Sequence, residues 1–88
     1  MIGKFNDLLV IFGENLKKIR NERNFSQEEL AYKAELDRTY ISGLECGKRN
    51  PTLKIIVKLA NALNMPPSEL LNNLHSIARS LCGENNKG

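Results

Sequence analysis

"SQEELAYKAELDRTYISGLE", residues 26–45, decides the fold. Ser26 followed three residues later by Glu29 makes a capping box: the hydroxyl accepts from a first-turn amide, and the carboxylate reaches back to the N–H of the cap. A helix therefore starts at Ser26 and stops near Ala34, with Leu30, Ala31 and Ala34 as a narrow small-residue face suited to close packing. Glu35, Leu36 and Asp37 then lead into another short helix, for which Asp37 is the expected cap and Ile41 and Leu44 the buried anchors. So short a turn between two short helices forces a steep angle between them, which is a helix-turn-helix.

The outer side of the second of these helices carries Arg38, Thr39, Ser42 and Gly43. A helix face that merely meets water is usually built from Glu and Lys. Small and hydrogen-bonding side chains instead suit entry into the major groove of B-DNA, which is about 12 Å wide and admits one α-helix. The first turn reaches deepest, so Arg38 and Thr39 are expected at base edges: arginine can bond guanine O6 and N7, and threonine can bond a base and pack on the thymine methyl. Gly43 is expected to leave room for close approach of the DNA, and Tyr40 and Ser42 to place hydroxyls at phosphate oxygens. Gln27 lies in a first helical turn, where main-chain N–H groups and the helix dipole favour an anion, and is expected at a phosphate. Lys48, Arg49 and Asn50 come after the helix on a loop and would grip the same strand. Each of these alone reads equally well as an ordinary surface residue; the spacing of all of them together points to DNA.

Working outward, Leu9, Phe12, Leu16 and Ile19 mark a first helix from about Asn6 to Arg23, ended by Asn24. Gly13 inside it is a weak point, since glycine costs about 1 kcal/mol against alanine in a helix interior. On the other side, Gly47 can close the groove-entering helix in the left-handed conformation. Thr52 caps a fourth helix expected to turn Leu53, Ile56, Val57, Ala60 and Leu63 inward and to stop at Asn64, before Pro66 and Pro67. A fifth helix is expected over about 67–82, with Leu70, Leu74, Ile77 and Leu81 repeating as an apolar stripe, and 83–88 as a disordered tail. The chain thus reads as all-α, a compact five-helix bundle forming one domain over 1–82. One recognition helix meets one half-site, too few contacts to find a rare sequence, so the fifth-helix stripe is expected to hold a homodimer together. The alternative is that the stripe folds back onto the first helix of its own chain.

Composition narrows the classes. Eighty-eight residues with a net charge of +3 and a pI near 9.0 suit a single small domain with a polyanionic partner. The longest apolar run, "LLVIF" at 8–12, is far too short to span a bilayer, and no signal-peptide pattern precedes it. Two cysteines, Cys46 and Cys82, point to a reduced cytoplasmic protein. With His75 they lack the spacing of a zinc site, so no metal or cofactor is expected. No nucleophile–histidine grouping, paired-carboxylate cleft or glycine-rich phosphate loop is present, and an enzyme is not expected.

From about Phe12 to Leu71, and most clearly in "LKKIRNERNFSQEELAYKAELDRTYISGLECGKRNPTLKIIVKLANAL" at 16–63, the chain resembles the phage-repressor/Cro-like (XRE-type) helix-turn-helix family. Gln27 and Ala31 match that family's glutamine and alanine four apart, Ile41 its aliphatic residue in the recognition helix, and Leu44–Glu45 the end of that helix. The departure is Glu35, at a turn position often occupied by glycine. The segment "LDRTYISGLE" also looks like the controller proteins of restriction–modification systems. The resemblance implies a transcriptional regulator that binds a near-palindromic operator in double-stranded DNA as a homodimer, with RNA polymerase as a further partner and no small-molecule ligand. It also implies an ion pair between Arg20 and Glu45. Antitoxins share the fold, and the rival function is a module that holds a partner protein through its C-terminal helix as well as DNA.

Overall fold

The caps read from the sequence set where the helices begin. The computed structural model describes residues 3–74, with side chains from residue 8 onward. Over that span the chain forms α1 (Gly3–Glu22), α2 (Gln27–Ala34), α3 (Arg38–Glu45) and α4 (Leu53–Ala62), and then a 3-10 turn at Pro67–Glu69. Ser26 Oγ accepts from Glu29 N at 3.0 Å while Glu29 Oε1 accepts from Ser26 N at 2.7 Å, closing the capping box. Thr52 Oγ1 accepts from Ile55 N at 3.2 Å at the start of α4. Asp37 has the extended backbone of a cap, but its side chain makes no cap bond.

These four helices end in one way. A residue just past each end adopts positive φ: Asn24 (61°), Glu35 (60°), Gly47 (74°) and Asn64 (57°). The next amide then bonds back five residues: Phe25 N to Arg20 O, Leu36 N to Ala31 O, Lys48 N to Gly43 O and Met65 N to Ala60 O, at 2.8–3.1 Å. This is the Schellman closure, which satisfies carbonyls the helix leaves open. Glu35 is therefore left-handed in spite of its Cβ.

Phe12, Leu16 and Ile19 of α1, Leu30, Ala31 and Ala34 of α2, Ile41 and Leu44 of α3 and Leu59, Ala60 and Leu63 of α4 form one buried core. Gly13 belongs to it for a steric reason. A Cβ there would lie 2.7 Å from the Glu45 carbonyl oxygen and closer still to that of Leu44, so the glycine lets α1 cross the end of α3 at backbone distance. The residue that looks like a weakness in α1 is a condition of its packing.

Two expectations are corrected. In α4 the inward face is rotated: Leu53 is 74% and Val57 39% exposed, whereas Leu59, absent from the expected inward face, is fully buried. Both faces share the 3–4 spacing, and the packing of α2 and the 3-10 turn on α4 selects one. The chain after α4 also departs from the expected fifth helix: the described residues contain four α-helices. Glu69 N, Leu70 N and Leu71 N bond back three residues, to Pro66, Pro67 and Ser68, and Asn73 has φ 73°. Amides that bond back three residues instead of four keep this stretch out of the α-helix, and the left-handed Asn73 ends any regular helix through 70–74. Leu70, expected at a dimer interface, is fully buried in the core of its own chain. Leu74 is half-buried, and Ile77 and Leu81 lie outside the described residues, as do His75, Cys82 and the expected tail. Among the described residues no helix is long and apolar enough to cross a membrane, and no group of acidic, histidine or cysteine side chains is placed to hold a metal.

Candidate nucleic-acid interface

The α2–α3 unit is fixed from behind by a polar cluster. Arg20 of α1 and Glu45 at the end of α3 form a two-point pair, Nε to Oε2 at 2.6 Å and Nη2 to Oε1 at 3.0 Å. Their side chains are 10% and 3% exposed. Arg20 Nη1 also donates to Phe25 O at 2.8 Å, and Gln27 Nε2 donates to Glu45 Oε1 at 2.9 Å. The carboxylate therefore takes three side-chain bonds and joins the last turn of α1, the first turn of α2 and the last turn of α3. The hydrogen bonding to Glu45 raises the Arg20 pKa above its ordinary value; burial opposes this, and the carboxylate charge adds to it. Gln27, expected at a phosphate, spends its amide N–H on Glu45 in this structure.

On the other side of α3, Arg38 and Thr39 are exposed at the first turn, as are Lys48, Arg49 and Asn50 on the loop beyond it. Tyr40 is half-buried against the core, and Ser42 and Gly43 are half-buried. The first turn of α3 has no acidic residue, in contrast to α2, and its cap residue makes no side-chain bond, in contrast to α2 and α4. Its amides are thus not met by a side-chain cap bond, while the Asp37 carboxylate complements the dipole and Arg38 adds a positive charge there, at a stability cost typical of cations near helix N-termini. That arrangement leaves amides at the start of α3 open to solvent or to a partner.

The basic residues divide by role. Arg23 Nε donates to Leu63 O at 2.9 Å and closes the end of α4; the Lys33 ammonium sits 5.2 Å from the Phe25 ring centre; Arg20 is held by Glu45. Arg38, Lys48 and Arg49 remain on the α3 side. The space beside Gly43, expected to be left for DNA, holds Arg49: a Cβ on Gly43 would lie 2.9 Å from Arg49 Cγ. The Arg49 guanidinium lies 5.6 Å from the centre of the Tyr40 ring. The reversal at Gly47 folds the loop back, so that Arg49 lies along the middle of α3. Sequence spacing carries no signal for this contact, nor for the Arg23 bond to α4.

Similar proteins match this geometry. Control protein C.BamHI of Bacillus amyloliquefaciens is 43% identical over 67 residues, covering 75% of this chain and 83% of that protein. The crystal structure of the restriction-modification controller protein C.AhdI from Aeromonas hydrophila matches at 48% identity with a TM-score of 0.70, over 70% of this chain and 94% of that one. The controller protein C.Esp1396I, solved as a tetramer on its natural 35 base-pair operator, matches at 40% identity with a TM-score of 0.69, over 80% and 92% of the two chains. Residues 16–70, which take in the core apart from Phe12, the capped α2, the turn at Glu35 and α3 with its exposed outer face, match the helix-turn-helix family, and the chain belongs to it.

Proposed function

We propose that this protein is a sequence-specific DNA-binding transcriptional regulator, the controller of a restriction–modification operon, acting as a homodimer on a near-palindromic operator. One observation carries the controller reading: the similarity to C.BamHI and C.AhdI extends over 83% and 94% of their lengths, so these controllers are matched nearly whole. The exposed first turn of α3, with Arg38 and Thr39, supports base reading, and Tyr40, Ser42, Lys48, Arg49 and Asn50 surround it as phosphate contacts. Gln27 reaches a phosphate through its main-chain N–H, since its side-chain amide holds Glu45. Two copies place two α3 helices in successive major grooves about 34–36 Å apart. Where the operator lies relative to the promoter decides between repression and activation, and activation would take RNA polymerase as a further partner.

Selection from a random-sequence duplex library with the purified protein tests this reading. The expected product is a near-palindrome whose half-site centres are about one helical turn apart. Enrichment of no sequence, or of a single unrepeated half-site, overturns it.

A further inference from the structure

Asn15 stands on α1, far in sequence from the chain that leaves the domain, yet its Nδ2 donates to two carbonyls there: Leu70 O at 3.0 Å and Asn72 O at 2.7 Å. Between and around these carbonyls the chain is fixed in other ways. Leu70 is fully buried, Leu71 is 37% exposed, Leu71 O accepts from Leu74 N at 3.2 Å, and Asn73 is left-handed. One amide thus ties together two carbonyls of this turn. Core packing holds Leu70 from one side and the Asn15 amide holds residues 70 and 72 from the other. The result is an elbow fixed over residues 70–74.

We propose that Asn15 is a positioning residue for DNA recognition: by holding this elbow it sets the angle between the DNA-reading unit and the dimer contact, and so sets which half-site spacing the dimer accepts. This rests on the homodimer reading above. The physical argument is one of leverage. α1 carries Arg20, which fixes the end of α3 through Glu45, and also carries Asn15, which fixes the exit of the chain. A single rigid helix therefore references both the reading element and the path towards the partner. One added base pair moves a half-site by about 3.4 Å and a tenth of a turn. A rigid dimer rejects that displacement; a dimer with a loose elbow accommodates it.

The test uses the full chain and the selected operator duplex, remade with one and with two base pairs added to or removed from its centre. Wild type is expected to lose about tenfold or more in affinity for each change of one base pair, and Asn15→Ala to lose less than about threefold while still sedimenting as a dimer. Asn15→Asp, which keeps the shape but presents oxygens to both carbonyls, is expected to do the same. Amide hydrogen exchange at residues 70–74 is expected to speed up in both variants while α1–α4 stay protected, a result available even where a variant binds DNA poorly. Spacing discrimination equal to wild type in either variant overturns the proposal and leaves the dimer intact, and so does unchanged exchange at the elbow. A wild-type protein that sediments as a dimer but shows no spacing preference overturns this proposal alone, whereas a wild-type protein that sediments as a monomer on and off DNA overturns the dimer reading and this proposal with it.

Discussion

Glu45 concentrates more of the structure than any other single residue. It is nearly enclosed, accepts from Arg20 twice and from Gln27 once, and links three helices. Removing it leaves a buried guanidinium without its counter-charge, which typically costs about 3–5 kcal/mol. Glu45→Ala should therefore lower the melting temperature by upwards of about 12 °C, whereas Glu28→Ala, at an exposed site on α2, should leave it nearly unchanged; thermal unfolding monitored by circular dichroism separates the two. The raised Arg20 pKa means that its contribution is fully present below the ordinary arginine value and is lost as pH rises from there through the folded one, so mild alkali should not loosen the pair from the arginine side. Glu35 is the opposite case, a residue whose replacement helps. Its left-handed backbone costs about 1–2 kcal/mol, it is exposed, and no packing is lost with its side chain. Glycine removes that strain but gains about 0.4–1 kcal/mol of unfolded-state entropy, so Glu35→Gly should stabilise by roughly 0.5–1 kcal/mol in denaturant titration. A destabilised variant would mean that the side chain does something other than tolerate the turn.

At the level of elements, the range of each interaction decides whether it is legible in the sequence. The starts of α2 and α4 are readable because a capping residue acts on its own first turn, and the ends at Asn24, Gly47 and Asn64 because a left-handed closure needs a residue that tolerates it locally. The Arg20–Glu45 pair is reachable only through family resemblance, since its partners are separated by 25 positions. The rotated face of α4, the Asn15 bonds and the fold-back of Arg49 depend on which neighbour packs where, and spacing carries no trace of that. Gly13 shows how the sign of an expectation can invert. Local propensity says that Gly13→Ala should stabilise α1 by about 1 kcal/mol. The close carbonyls of Leu44 and Glu45 say that it should destabilise, by about 1–3 kcal/mol, because backbone rather than a flexible side chain must give way. The variant's unfolding midpoint decides between helix and packing. For α3, Arg38→Ala should cost about 1–3 kcal/mol on the selected operator and flatten preference at one base pair, while Lys48→Ala should weaken all sequences alike and lower the salt slope by about one. Titrations on the selected and a scrambled duplex at several salt concentrations distinguish them; unchanged base preference in Arg38→Ala removes it from the reading role.

On the scale of the whole molecule, the apolar stripe after α4 divides into a first member that the structure places in the core and later members proposed to hold the dimer. A repeat of Leu70, Leu74, Ile77 and Leu81 at helical spacing suggests a single seam. The structure breaks that seam at its first member: Leu70 completes the core beneath the 3-10 turn, and the left-handed Asn73 separates it from the later members of the repeat. Folding and association should therefore respond to different substitutions. Leu70→Ala opens a cavity in a closed core and should cost about 2–5 kcal/mol of stability. Ile77→Glu, drawn from the remainder of the stripe, should leave the melting of the α1–α4 core near wild type when compared at one protein concentration under which both are monomeric. Because a charge in an apolar seam has no partner there, Ile77→Glu should shift sedimentation from dimer to monomer and weaken operator binding by about tenfold or more. Half-site binding by α3 should survive in it, visible as the same base preference at lower affinity, since Arg38, Thr39 and the Arg20–Glu45 support lie outside the substituted segment. Sedimentation and binding measured on the two variants side by side give the decisive comparison: a dimeric, fully binding Ile77→Glu protein removes the segment after residue 74 from the interface, and the homodimer must then be built on another surface of the molecule.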